Sequence, residues 1–432
     1  MFLLSHSRII RLKPLGLALL TGTLTGIIVA YFRLALSQIN HLLQSLLVQS
    51  SQHFFQGLLF LGLLLILGVF AGYCLKAESN ISGSGIPQVS GQLQGQLQQN
   101  WWRILIYKFL GGLATIGSGL TLGREGPSVQ IGASIGQGMA QLSRSKEEVS
   151  NYLIAGAAGA GMAAAFNAPL SGLFFVIEEL LHQSNRRLFV YTGITIASSS
   201  LTAKYILGNQ VSIPIPVFNP DNFPNLIQCL LLGILVAFSG LLFNQGILSL
   251  KNIFSNWQAP LYLKTALPFL VTGLFLLYDP QLFGSGANLI QLPFESSLTL
   301  PNLSYLYLVK LVLLLLAFCS GIPGGIFFPL LALGSLVGQI YGLTLAQLGL
   351  AFADLIPYFS IIAMACHFAA IVRAPLTGMV LIMEMTGASL PWLLPMMIAC
   401  YTADLVSEFL GNQPIYESLL EIILQNKYKP TN

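Results

Sequence analysis

One carboxylate in this chain stands in a backbone setting that suits it to chemistry. Glu125 lies in the stretch Gly123-Arg124-Glu125-Gly126-Pro127-Ser128-Val129-Gln130. Gly123 and Gly126 allow backbone geometries closed to other residues. Pro127 suits the first turn of a helix that begins just after Glu125. Helix N-termini carry unpaired N–H groups and the positive end of a dipole, so they attract anions. The spacing predicts a carboxylate at the mouth of an anion site, able to compete with the anion for its place. The plainer alternative is a structural ion pair with Arg124 or Lys108.

Three further stretches are punctuated by glycine and proline in a way that could bring helix ends to the same place. Ser82-Gly83-Ser84-Gly85-Ile86-Pro87 offers the Ser84 hydroxyl beside backbone N–H groups, or is an ordinary turn. Gly321-Ile322-Pro323-Gly324-Gly325-Ile326-Phe327-Phe328-Pro329 offers the N–H groups of Ile326 and Phe327, or is a tight loop between helices. Gln413-Pro414-Ile415-Tyr416 could aim a phenol inward, or Tyr416 is an interfacial anchor. Hydroxyls and amides suit a chloride-sized anion, whose weak basicity calls for donors rather than full positive charge. Glu178 and Glu179 close an apolar run. Neighbours on a helix point about 100° apart, so the two cannot share one role. One reading is a solvated helix end paired with Arg186; the other is a proton-relay site.

The elements that must position these residues lie in a very apolar chain. Of 432 residues, 55% are hydrophobic and only 8% are charged, with mean hydropathy +0.75. Soluble domains carry about 25% charged residues, so a polytopic membrane protein is expected, all-α because no alternating barrel pattern appears. The net charge of +4 forms no basic stripe, which leaves nucleic-acid binding without support. The five cysteines show no ligand spacing and read as core residues; no metal or cofactor is called for. Gly132-Ala133-Ser134-Ile135-Gly136 matches a hydrolase elbow pattern, but within an apolar helical run it reads as packing, and no enzyme is expected. Lys108 either supplies positive potential for anions or snorkels to the interface.

The basic N-terminal segment precedes an apolar run at 15–32, which places the N-terminus in the cytoplasm by the positive-inside rule. The weakly basic tail is expected on the same side, so the crossings should be even in number. Apolar stretches recur to residue 410, several too short or too broken for a simple span of about 20 residues. The Gln- and Gly-rich stretch 88–100 reads as an exposed loop.

An internal repeat divides the chain. Ala168-Pro169-Leu170-Ser171-Gly172 with Glu178 matches Ala374-Pro375-Leu376-Thr377-Gly378 with Glu384 at offset 206. Gly132 and Gly136 match Gly334 and Gly338 at offset 202, and Gly83-Ser84-Gly85 matches Gly284-Ser285-Gly286 at offset 201. The division predicts an N-terminal segment (1–14), a first half (15–207), a proline-rich linker (208–225), a second half (226–416) and a short tail (417–432). Halves with odd numbers of crossings would insert inverted, with sites at the midplane where broken helices meet. The Gly284 loop lacks the proline of its partner and is expected to be structural, as are Glu178 and Glu384.

Taken together, GSGIP (83–87), GREGP (123–127), GGIFFP (324–329) and the late tyrosine resemble the CLC family of chloride channels and chloride/proton antiporters, over nearly the whole chain. The resemblance implies a homodimer in the plasma membrane, with a CLC-type inverted repeat of tilted, broken helices and a separate anion pathway in each subunit. It implies Ser84 and Tyr416 as side-chain donors to chloride, and Ile326 and Phe327 as backbone donors. Glu125 would be the external gate and proton carrier, and Glu179 the internal proton-transfer site. A carboxylate at Glu179 points to antiport rather than to a passive channel of the same fold. Ser84 favours chloride over nitrate, and Ser84 with Tyr416 argues against fluoride selectivity. Only sixteen residues follow Tyr416, so the large cytoplasmic regulatory modules of some members are not expected.

Overall fold

Long apolar helices alternate with short ones in this computed structural model, which describes residues 12–50, 53–183, 185–209, 211–213, 224–295 and 299–427. The basic segment 1–11, most of the linker and the last residues of the tail lie outside the described residues. The first helices are α1 (Leu12–Ser50), α2 (Phe54–Ala77), the short α3 (Ile86–Leu93), α4 (Trp101–Ile116), α5 (Glu125–Leu142) and α6 (Glu147–Phe166). Next, α7 (Pro169–Phe175) runs into a π-helical turn, Val176–Leu181, before α8 (Arg186–Leu207). After the linker come α9 (Leu226–Asn256), α10 (Leu261–Tyr278), α11 (Ala287–Glu295), α12 (Leu300–Cys319) and α13 (Phe327–Gln347). The last four are α14 (Ile356–Val372), α15 (Pro375–Thr386), α16 (Leu393–Phe409) and α17 (Ile415–Lys427). Among the described residues, nine helical segments are long and apolar enough to cross a membrane, and the only β structure is two isolated bridges.

Two details differ from the sequence reading. Helix α1 outlasts its apolar run because residues 37–50 contain no glycine or proline to stop it. The stretch 88–100 is not simply an exposed loop. Its start belongs to α3, and Gln88, Val89 and Leu97 are buried.

The helices pair through glycine. In α5, a Cβ added at Gly132 would lie 2.0 Å from the Ala157 carbonyl oxygen of α6, and one at Gly136 would lie 2.4 Å from that of Leu153. In α13, the corresponding distances are 2.7 Å from Gly334 to the Ala363 oxygen and 2.2 Å from Gly338 to the Phe359 oxygen, both on α14. Both pairs of backbones touch at a distance that only glycine permits. These contacts repeat at the offsets found in the sequence, so the α5–α6 and α13–α14 pairs are equivalent units of the inverted repeat. They also explain the elbow-like pattern around Ser134, whose hydroxyl donates within the helix to the Gln130 carbonyl at 2.9 Å.

The two halves clasp each other reciprocally. Glu178 accepts from the N–H groups of Leu376 (3.1 Å) and Thr377 (2.7 Å) and from the Thr377 hydroxyl (2.7 Å), at the start of α15. Glu384 accepts from the N–H groups of Leu170 (3.0 Å) and Ser171 (2.8 Å) and from the Ser171 hydroxyl (2.5 Å), at the start of α7. Each carboxylate thus caps the other half's broken helix, where unpaired N–H groups and the helix dipole favour negative charge. This replaces the reading of Glu178 as a solvated end paired with Arg186.

Candidate functional site

Three loops meet where α3, α5 and α13 begin. Gly123 and Gly325 exchange backbone hydrogen bonds, with N···O distances of 2.7 and 2.8 Å. Gly83 donates to the Gly321 carbonyl at 3.4 Å and accepts from the Gly324 N–H at 3.0 Å. The Thr115 hydroxyl donates to the Pro323 carbonyl and ties α4 to the same junction. A Cβ on Gly126 would lie 2.8 Å from the Ser84 Cβ, and one on Gly325 would lie 3.1 Å from the Gly126 nitrogen. Glycine at these positions is what lets the three helix starts come together. The first N–H groups of each helix have no intrahelical acceptor, and their dipoles present positive ends to the junction.

Lys108 organises the first loop. It is fully buried in α4 and donates from Nζ to the carbonyls of Ile81 (2.8 Å) and Gly83 (2.7 Å). Snorkelling is therefore ruled out, and so is a direct pair with Glu125. Lys310 does the same for the second half's loop, donating to the carbonyls of Leu282 (2.7 Å) and Gly284 (2.6 Å). The sequence reading missed Lys310, although it stands 202 positions after Lys108, at the offset already found for the glycines. The Gly284 loop also donates from its own N–H to the Gly119 carbonyl at 2.8 Å, so its contacts are structural.

Ser84 is buried just before Gly85, whose φ of +90° turns the chain into α3. Its Oγ accepts from the Ile86 N–H at 3.3 Å, which leaves the hydroxyl proton available to an acceptor. Glu125 is the first residue of α5 and only 1% exposed. No side chain partners either carboxylate oxygen, and among the described residues Glu125 forms no ion pair; the backbone N–H groups of Glu125 and Phe328 face the carboxylate without closing full hydrogen-bond geometry. Arg124 and Arg33 act on it only through longer-range electrostatics. A Cβ on Gly123 would lie 2.3 Å from Glu125 Oε2 and 3.1 Å from the Phe328 nitrogen, so the carboxylate leans toward the start of α13. Ile326 and Phe327 are buried at that start, and the Phe327 ring packs on Phe166 and Phe368 at centroid distances of 5.4 and 4.5 Å.

Tyr416 lies in the first turn of α17, which packs on α3. It is 2% exposed and its hydroxyl has no partner, so it is no interfacial anchor. It stands within electrostatic reach of both Glu125 and Glu179. Glu179 is buried on the π-helical turn. Adjacent on that turn, Glu178 reaches α15 while Glu179 stays buried. The structure thus gathers Glu125, Ser84, Ile326 and Phe327 around one junction, with α17 bringing Tyr416 against α3 and Glu179 on a separate turn. His367, the histidine deep in an apolar segment, is instead held at 2.6 Å from the Leu330 carbonyl and 3.0 Å from the Ser239 hydroxyl.

Comparison with known proteins fits this architecture. Residues 62–408 match the family model described as voltage gated chloride channel. The chain is 36% identical over 420 residues to the H(+)/Cl(-) exchange transporter ClcA of Salmonella schwarzengrund, covering 95% of this chain and 88% of that protein. It is similar to the crystal structure of a slow cyanobacterial Cl−/H+ antiporter, with a TM-score of 0.92, 30% identity, and coverage of 98% of this chain and 100% of that one. A CLC-type fluoride/proton antiporter superposes with a TM-score of 0.76 at 25% identity, covering 94% of this chain and 97% of that one. With its motifs, its reciprocal halves and a match spanning most of its length, the chain belongs to the voltage-gated chloride channel (CLC) family.

Proposed function

We propose that this protein exchanges chloride for protons across the membrane, with Glu125 as both the outer gate and a carrier of the proton. The observation that carries the reading is a buried carboxylate with no cation or hydroxyl paired to it, facing backbone N–H groups at the meeting of three helix starts. In that place a carboxylate and a halide are interchangeable ligands of the same N–H groups. Protonation of Glu125 removes its charge, and the side chain leaves the outer position to chloride. When chloride departs, the deprotonated side chain returns and closes the path. Ser84, Tyr416, Ile326 and Phe327 hold the anion deeper in, and Glu179 passes protons to and from the inner solution. Relatives named as exchange transporters support antiport over a passive channel.

The same reading takes the protein as a homodimer in the plasma membrane, built from two inverted halves joined by the linker at 208–225. It places both termini in the cytoplasm. Pro14 of α1 shares a surface cavity with Lys146 and Arg187, so basic residues gather at the face where the first helix begins. The test is a paired flux measurement on the protein reconstituted in proteoliposomes. An outward chloride gradient should drive protons inward against their own gradient. A protein that carries chloride while ignoring the pH gradient would be a channel, and the proposal would fail.

A further inference from the structure

Glu179 is buried, so protons need a way to reach it from solution. Its own turn supplies one candidate. His182 follows three residues later and ends the π-helical turn in a left-handed conformation, φ +48°. That conformation breaks the helical run and puts the imidazole at the surface. Helix α17 supplies the other candidate. Glu417 follows Tyr416, so the helix that buries the phenol also carries a carboxylate at its first turn. The two meet, with His182 Nε2 3.7 Å from Glu417 Oε1 and side chains 51% and 56% exposed. Glu417 stands within electrostatic reach of Glu179.

Of the other charged groups nearby, Arg186 at the start of α8 and Glu421, one turn beyond Glu417 on α17, are exposed to solvent, and the rest are engaged elsewhere. Helix α3 has no titratable side chain. Glu178 and Glu384 cap α15 and α7. On α8, Arg187 pairs with Glu148 of α6. At the end of α14, Arg373 pairs with Asp404 and Glu408. On α9, Lys251 sits over the Phe318 ring at 5.6 Å.

We infer that His182 and Glu417 form a proton-collecting pair that loads Glu179 from the face assigned above to the cytoplasm. This rests on the antiport reading. A proton from solvent is held on the Glu417 carboxylate or on His182 Nε2, then passes over water to the Glu179 carboxylate. Glu179 becomes neutral, and the pair returns to its starting charge. Neither group touches chloride, so the pair sets the rate of loading and leaves the exchange ratio alone.

The experiment measures exchange rate against inner pH in oriented proteoliposomes for the wild type, Glu417→Gln, His182→Gln and the double variant. Glu417→Gln should shift the inner-pH midpoint toward acid by roughly half a pH unit or more, because a negative charge near Glu179 is lost; His182→Gln removes a proton donor but no negative charge, so it should slow exchange at a given inner pH without an acid shift. The double variant should combine the acid shift with the slower exchange, while the outer-pH profile and the proton-to-chloride ratio stay at wild-type values. A wild type that moves no protons sinks both this inference and the antiport reading. A wild-type exchanger whose variants keep its inner-pH profile sinks this inference alone. A second measurement guards against a structural role. In a Glu179→Gln background, which removes the proton acceptor, adding Glu417→Gln should leave chloride flux unchanged. A drop there would assign the pair to folding or the anion path and overturn the inference.

Discussion

Glu125 sits where a charged side chain would normally be expensive, buried and with no side-chain donor or cation paired to it. A merely structural carboxylate would have drawn a cation or a hydroxyl to itself, as Glu178 and Glu384 have done. That contrast sets Glu125 apart from the two clasps and is what the proposed gate rests on. Glu125→Gln should keep chloride flux and lose proton flux, because the amide has the same shape and no titrating proton. Paired electrode recordings in liposomes test this; proton pumping that survives the substitution would rule Glu125 out as a carrier. Ser84 and Glu125 were legible from sequence because glycines and a proline fix the backbone beside them. Lys108 was not. Its carbonyl partners are 25 and 27 residues away in the chain, and no local pattern reports a contact of that span.

At the scale of the helix, two kinds of glycine must be told apart. Gly136 and Gly338 meet a neighbouring carbonyl where a Cβ would stand, whereas Gly62 in α2 has nothing within 4 Å. Gly136→Val should cost about 1–3 kcal/mol or more through overpacking against backbone that cannot yield. Gly62→Ala should be neutral to slightly stabilising, since it removes freedom from the unfolded chain and meets no atom. Thermal melts in detergent compare the two. The capping glutamates make a second comparison. Glu178→Gln and Glu384→Gln should each cost about 1 kcal/mol, the range of a capping or dipole interaction at a partly exposed helix start. Similar losses at both sites are expected because the two clasps are built alike; a large loss at one alone would mean that the halves are not equivalent there. Helix existence was legible from apolar runs, but helix ends were less so. Helix α1 continued past its apolar face, and α3 formed in a polar stretch because its first turn is set by Gly85 and Pro87 rather than by hydrophobic period.

For the molecule as a whole, the repeat visible in sequence translated into contacts with little loss. The offsets of the glycine and Ala-Pro blocks reappear as matched helix pairs and matched caps. The crossing point of the two halves was not legible. The Gly123–Gly325 exchange joins residues 202 positions apart, and it makes sense only once both loops are seen to face each other. The lysine clamps carry a further consequence. Lys108 braces a loop that ends in Ser84, whereas Lys310 braces its counterpart around Ser285 and also bonds the Thr121 hydroxyl. If the proposed anion path holds, one copy of the motif serves transport and the other serves architecture. Mutational scanning should therefore find the pair asymmetric: side chains at 285 interchangeable so long as the brace survives, and those at 84 constrained by the ion that must pass.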